Sequence, residues 1–307
     1  MDVKYPITDP NDSVLVNLRQ SLAEQAAAYR LQENTNTINI PLLGHIHFVR
    51  DKNGIMMLSC IVAYWVYGVW SSYYVVLNPH YVDGVVPTWY MCYHFLVCAL
   101  CLLALIRSAT LNPGRVPDID ANVAQSRGWE PCPTCGKWRP PKAHHCRRCK
   151  QCVVRMDHHC PWINNCVGDG NHHVFTLLLF YAFLFGLNGF IALMLHYWYW
   201  PKCEACDKES FPVKHGLWFC YLSTVMALGM AYFMLMQSIA QHFNLLLNMT
   251  SLETMKIKSV HDVNYDTVQL RTCCKAYTDL FGTFHFYLWP WPCRRKRSRL
   301  SSLTIWA

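Results

Sequence analysis

At 307 residues the chain has the length of one or two ordinary soluble domains, but 53% of its residues are hydrophobic, 14% aromatic and only 15% charged. A soluble chain carries about a quarter charged residues; the deficit here is gathered into four long apolar stretches, which excludes both a simple soluble enzyme and general disorder. The formal charge of +8 suits nucleic acid or an anionic membrane face, and the apolar stretches favour the membrane, so no nucleic-acid partner is expected.

The predicted order begins with an N-terminal tail, 1–54, in which Ser13 caps a weak helix reaching Leu31, with Leu15, Leu18, Leu22, Ala26 and Tyr29 at helical spacing. A helix needs about 20 mostly apolar residues to cross a bilayer. Residues 55–77 supply 23 without Asp, Glu, Lys or Arg, and 89–106 supply 18 after a short loop, 78–88. A polar loop, 107–174, follows. Residues 175–200 are charge-free over 26; after the loop 201–216, residues 217–240 are read as a fourth span and 241–307 as the emerging C-terminal region. Tyrosine and tryptophan crowd the span ends (Trp70, Tyr73, Trp89, Tyr90, Trp198, Trp200), as interfacial belts require. The expected fold is an α-helical integral membrane protein with four transmembrane helices. No internal repeat and no low-complexity tract is expected.

Loop charge orients the chain. Of the 27 Lys and Arg, 24 lie in the two terminal regions and the 107–174 loop, and 3 in the two short loops. The positive-inside rule then makes both termini and the 107–174 loop cytosolic, and 78–88 and 201–216 luminal or extracellular. The sequon Asn248-Met249-Thr250 would face the cytosol and stay unglycosylated. Cys203 and Cys206 fall in an outward loop, a weak disulfide signal. The run Arg294-Arg295-Lys296-Arg297-Ser298-Arg299 reads as a solvated tail attracted to anionic lipid.

Seventeen cysteines do not make a secreted disulfide scaffold, since such scaffolds are small and Met1-Asp2-Val3-Lys4 opens no signal peptide. Seven of them lie between Cys132 and Cys166: Cys132, Cys135, Cys146, Cys149, Cys152, Cys160 and Cys166, with His145, His158 and His159 among them. In a reducing compartment such a cluster means metal. Cys-x2-Cys turns let two thiolates bite one tetrahedral zinc, and a structural site takes four closed ligands, often three Cys and one His. Two sites consume eight ligands, whereas seven Cys plus one His per site make nine. One Cys is spare, and ligation alone does not say which.

The run from His145 through Asp157-His158-His159-Cys160-Pro161-Trp162, Asn165-Cys166, Asn171 and Phe175 resembles the cysteine-rich domain of DHHC protein S-acyltransferases (palmitoyltransferases), without gap or insertion. Arg139-Pro140 fits as well. Phe48 and Asn78-Pro79-His80-Tyr81 make the chain similar in particular to the small, palmitoyltransferase 21-type members. The resemblance implies a cytosolic two-zinc domain between spans two and three, with one zinc on Cys132, Cys135, His145 and Cys152 and the other on Cys146, Cys149, His159 and Cys166. Cys160 is then the nucleophile, His158 its base and Asp157 the partner of that imidazole, in the manner of a Cys-His-Asp triad; His144 becomes a surface residue. A thiol attacks only as thiolate, and His158 can take its proton if the backbone between them turns sharply.

The implied activity is ping-pong. Cys160 takes a palmitoyl group from acyl-coenzyme A and passes it to cysteines of membrane-associated proteins at the cytosolic face, in the Golgi, the endoplasmic reticulum or the plasma membrane. Trp162 and Phe175 would line the mouth of an acyl tunnel and Phe185 its floor, about 15 Å deep at 1.5 Å per residue; a bulky floor implies a preference for fourteen- and sixteen-carbon chains over eighteen. Lys137, Arg139, Lys142, Arg147, Arg148 and Lys150 are candidates for the coenzyme A head group. Three family elements are altered: Asn112-Pro113-Gly114 replaces Asp-Pro-Gly, Thr250-Ser251-Leu252-Glu253 replaces Thr-Thr-x-Glu, with Ser251 left to support Asp157, and Ala276 stands where the tail motif has Asn. The rival readings are a zinc-bearing membrane scaffold without activity and a membrane ubiquitin ligase; the intact Asp157, His158 and Cys160 disfavour the first, and the spacing of the His145–Cys152 run does not fit the cross-brace of the second.

Overall fold

The computed structural model describes residues 24, 35–40, 44–202, 209, 216–259, 270–282 and 286–293. The helix expected from Ser13 to Leu31 lies outside them apart from Glu24, which is helical, and so do Cys203, Cys206 and the 294–299 basic run.

Among the described residues, four helices are long and apolar enough to cross a membrane: α1 (Lys52–Val82), α2 (Thr88–Thr110), and, after the short α3 (Ala121–Ser126), α4 (His172–Trp198) and the Tyr221–Leu246 part of α5 (Gly216–Leu246). Helices α6 (Ser251–Ser259) and α7 (Cys273–Phe281) follow. On the side of the cysteine-rich loop the helices outrun their charge-free stretches. Asp51 starts α1 by accepting the Asn53 N–H, and α2 continues past Arg107. Helix α5 runs on through Gln241 and His242 to Leu246, the helix that the charge-free stretch beyond residue 240 is expected to carry into water. Missing charge marks the hydrocarbon, whereas a helix ends where its backbone groups find other partners.

Helix α4 is the centre of the bundle. It meets α5 through small residues: a Cβ on Gly186 would lie 2.8 Å from the Ala231 nitrogen and 3.0 Å from the Ala227 oxygen, the close backbone approach by which membrane helices pack. It meets α2 at a buried polar node, where the Tyr90 hydroxyl donates to Asn188 Oδ1 and the Asn188 amide meets His94 Nδ1, both at 2.7 Å. Polar groups at this depth need such partners. Helix α1 is π-helical over Trp70–Leu77, where the Ser71 and Ser72 hydroxyls turn back on the Gly68 carbonyl.

The sequence reading contains no strand. The described residues contain four antiparallel hairpins. In the first, β1 (Thr35–Ile40) and β2 (Gly44–Val49) lie just ahead of α1, and Val49 packs on Cys146, Cys149 and Cys166. The others fill the cysteine-rich loop: β3 (Glu130–Pro131) with β4 (Trp138–Arg139), β5 (His144–Cys146) with β6 (Gln151–Val153), and β7 (His158–Cys160) with β8 (Asn165–Val167).

These three are copies at a spacing of 14 residues. Their outermost pairs are Glu130↔Arg139, His144↔Val153 and His158↔Val167. Each turn contains one left-handed residue, Gly136, Lys150 and Asn164, at φ 67°, 52° and 47°. The expectation of no internal repeat is therefore wrong. Part of its signal is in the sequence, where His144-His145-Cys146 and Cys152-Val153 recur as His158-His159-Cys160 and Cys166-Val167; only the left-handed positions carry three different residue types.

Candidate active site and metal centres

Side chains along a strand point alternately to opposite faces. The repeat uses this to build two centres from three hairpins. Each centre combines the Cys-x2-Cys turn of one hairpin with a cross-strand His–Cys pair of the next, His145↔Cys152 for the first and His159↔Cys166 for the second. The ligand atoms of Cys132, Cys135, His145 and Cys152 lie within 4.8 Å of one another, and so do those of Cys146, Cys149, His159 and Cys166. Thiol sulfurs approach to 3.7 Å between Cys135 and Cys152 and to 3.4 Å between Cys149 and Cys166. Imidazole Nδ1 is the inward atom in both, 3.6 Å from Cys152 in His145 and 3.3 Å from Cys149 in His159. Tetrahedral zinc with Zn–S near 2.3 Å would hold sulfurs about 3.8 Å apart. Two buried sets of three sulfurs and one nitrogen at these separations fit that ion.

Cys160 occupies the position that Cys132 and Cys146 hold in the other two turns. Its turn has Ile163 where theirs have Cys135 and Cys149, so Cys160 enters neither set. No sharp turn separates it from His158. The two lie in the extended strand β7, where residues two apart share a face; the chain turns only afterwards, through the 3-10 segment Pro161–Ile163 and left-handed Asn164. His159, between them, points to the other face and the second centre.

Asp157 is fully buried and accepts four hydrogen bonds: from His158 Nδ1 at 2.8 Å, the Ser251 hydroxyl at 2.9 Å, Gln241 Nε2 at 3.0 Å and the Ser251 backbone N–H. Burial alone would raise its pKa. The His158 hydrogen bond, the nearby His172 and His158 and the Ser251 N–H outweigh that and hold the carboxyl below its ordinary range. Burial likewise pulls His158 down, but hydrogen bonds to Asp157 and Cys160 raise it to about 9. The Phe175 ring packs edge-on against this imidazole, centroids 5.3 Å apart.

Below Cys160 a cavity of about 450 Å³ runs among α1, α2, α4 and α5. Trp162, Phe175 and Phe185 all line it, with His158 and Cys160 at one end. A Cβ on Gly68 would lie 2.7 Å from the Phe185 ring, so α1 and α4 touch there. Past Phe185 is a second cavity of about 30 Å³, bordered by Ser71, Ser72 and Ser223. None of the six candidate cations lines the large cavity. Lys137 faces Asp118 at 3.4 Å, Lys142 faces Glu253 at 3.4 Å and Arg148 faces Asp51 at 3.1 Å; Arg139 pairs with Glu130 across β3 and β4. His144 is half-buried in β5.

Several supports went unread in the sequence. Asn165 donates to the Ser108, Ala109 and Leu111 carbonyls and so seats β8 on the open end of α2. Asn164 donates to the Val49 carbonyl at 2.9 Å, and Gly54 leaves room for it: a Cβ there would meet Asn164 Oδ1 at 2.0 Å. Asn112 keeps its turn by accepting the Gly114 and Arg115 N–H groups. Ala276 is buried at the α7 contact. Gln241 was counted only as part of a charge-free helix.

A family model described as DHHC palmitoyltransferase matches residues 125–258. The chain is 32% identical over 264 residues to palmitoyltransferase ZDHHC21 of Mus musculus, covering 82% of this chain and 94% of that protein. It is 33% identical over 261 residues to palmitoyltransferase ZDHHC21 of Danio rerio, covering 85% and 97%. A shorter similarity, 39% over 95 residues, covers 28% of the chain and 37% of the probable protein S-acyltransferase 15 of Arabidopsis thaliana.

Proposed function

Since the chain belongs to the DHHC palmitoyltransferase family and transfers acyl groups to proteins, we propose that it draws them from acyl-coenzyme A and carries them as a thioester on Cys160. The observation that supports this most is the apolar cavity that ends on Cys160 and His158. With Nδ1 donating to Asp157, His158 has Nε2 left to take the Cys160 proton. The thiolate attacks the acyl carbonyl, the bond to the coenzyme A sulfur breaks, and the imidazolium returns its proton to that leaving thiolate. An acceptor cysteine then repeats the sequence in the opposite direction, with His158 taking its proton and Cys160 leaving.

Cys132, Cys135, His145 and Cys152, and Cys146, Cys149, His159 and Cys166, would each hold a structural zinc. The ion's contribution is to cross-link the hairpins, since four protein ligands leave no open position for water. The catalytic chemistry stays with Cys160, His158 and Asp157. A scaffold without activity has no use for a spare thiol beside an imidazole and a cavity.

The acyl chain lies in the cavity as it would in lipid, where each buried methylene is worth about 0.8 kcal/mol. Phe185 against Gly68 is its floor. The polyanionic head group stays outside, on the basic face of the zinc hairpins that includes Lys137 and Arg139. That face and both termini are cytosolic, with 78–88 and 201–216 on the opposite side.

The direct test is purified protein incubated with clickable palmitoyl-coenzyme A. Hydroxylamine-sensitive label mapped to Cys160 is expected; label confined to other cysteines would refute the intermediate. Phe185→Ala should join the two cavities and raise use of stearoyl- over palmitoyl-coenzyme A in competition. An unchanged product ratio at retained activity would remove Phe185 from chain-length selection.

A further inference from the structure

Gln241 is a neutral amide in the cytosolic part of α5, 4% exposed. Burying an amide costs free energy unless both of its ends are bonded, and here both are. Nε2 lies 3.0 Å from Asp157 Oδ2 and 3.3 Å from the Ser251 hydroxyl; Oε1 lies 2.9 Å from His172 Nε2. The carboxylate fixes the orientation. An ionised carboxyl only accepts, so the amide must present its N–H to Asp157. Its oxygen then faces His172, whose Nε2 carries the hydrogen. His172 is the first residue of α4. One side chain thus ties the start of α4 to the Asp157 carboxylate through α5.

Oδ2 is also the oxygen that accepts from His158 Nδ1. The amide and the imidazole pull on one oxygen from two directions, while the Ser251 N–H holds Oδ1. Three donors on Oδ2 and one on Oδ1 leave the carboxylate a single rotation in which His158 is aligned. We infer that Gln241 is a positioning residue of the acyl transfer: oriented by His172, it fixes the Asp157 carboxylate so that His158 presents Nε2 to Cys160. It touches neither thiol nor acyl donor and acts only through Asp157. The inference rests on Cys160, His158 and Asp157 carrying the chemistry.

The test is the rate of Cys160 self-acylation by purified full-length variants, with the KM for palmitoyl-coenzyme A and the zinc content measured alongside. Loss of one hydrogen bond to a charged group should lower the Gln241→Ala rate about tenfold. KM should stay within about twofold, because ground-state binding is untouched. Gln241→Glu separates positioning from packing. Glutamate has nearly the same shape, so a packing role predicts a variant better than Ala; in its ionised form it cannot donate to Asp157 and adds a like charge, so the positioning role predicts a worse one at a pH where it is ionised. His172→Ala should give a smaller fall, and the double variant His172→Ala with Gln241→Ala should be no slower than Gln241→Ala alone.

A Glu variant faster than Ala, or both within twofold of the parent, overturns the inference. So do His172 and Gln241 effects that multiply. If a Gln241 variant does not retain two zincs, His172→Ala decides alone, and an unchanged rate there overturns it. Cys160→Ser is run in parallel. Label surviving in it would sink the thioester reading, whereas label lost there but indifferent to Gln241 and His172 would sink only this inference.

Discussion

The hairpins β5–β6 and β7–β8 have one backbone and two candidate roles. Residue for residue at an offset of 14, His144, His145, Cys146, Cys152 and Val153 match His158, His159, Cys160, Cys166 and Val167, and the strand registers coincide. Three of the changes bear on chemistry. Cys149 becomes Ile163, so the turn cysteine loses the neighbour with which it would grip a metal. Ala143 becomes Asp157, so the histidine two residues before that cysteine gains a carboxylate. Arg147-Arg148 becomes Pro161-Trp162, so the turn faces an apolar cavity. A thiol that belongs to a candidate metal set in one hairpin lies outside both sets, beside an imidazole, in the next. The contrast teaches that the third hairpin needed no new fold to become a candidate reaction centre, only the removal of one ligand and the addition of one acid.

The largest expected contrast comes from the same substitution at the two equivalent positions. Cys160→Ser should abolish self-acylation and keep two zincs per chain; Cys146→Ser should lose metal, and activity with it, because zinc binding is itself folding free energy. Metal analysis beside thioester labelling reads both, and a zinc lost from Cys160→Ser would make that residue a ligand. A smaller effect is expected from rebuilding the missing half of the turn. Ile163→Cys should lower Cys160 labelling relative to the size control Ile163→Ala, with recovery on adding reductant and a mild chelator. Equal labelling of the two variants would show that the third turn cannot act as a metal knuckle.

The smallest contrast lies at the left-handed position. Lys150→Gly should stabilise the protein by about 0.5–1 kcal/mol, because glycine accepts positive φ without a Cβ penalty. Asn164→Gly should instead destabilise by about 1 kcal/mol, since it forfeits the bond to the Val49 carbonyl. Thermal unfolding of both in one detergent checks the sign, and a shared sign would mean the Asn164 bond carries no net stability.

How much of this was legible beforehand follows the physics of each signal. The spans were readable because a bilayer imposes a long unbroken apolar run, and so was the helix beyond residue 240; the extensions to Lys52 and past Arg107 were not, since outside the hydrocarbon a helix continues through charge. The eight metal-binding candidates followed from the resemblance and from cysteine and histidine types that few other roles explain. The repeat that generates them was overlooked although His144-His145-Cys146 recurs as His158-His159-Cys160; only its turn positions, Gly136, Lys150 and Asn164, share nothing but a dihedral angle. The β1–β2 hairpin was legible but overlooked: Ile38 and Ile40 alternate with Thr37 and Asn39, and Ile46 and Phe48 with His45 and His47. The head-group candidates were chosen by charge alone, and three of them turn out to face acids.

The staggering of the two donor sets has a consequence for how the loop assembles. Neither set lies within one hairpin: the first needs the β3–β4 turn and the β5–β6 pair, the second the β5–β6 turn and the β7–β8 pair. The middle hairpin serves both. A hairpin formed alone therefore cannot close a complete site, and opening the middle one dismantles both at once. Units linked in this way open together rather than fraying singly. Hydrogen exchange along 130–167 should accordingly show one shared protection step across the three hairpins instead of three graded ones.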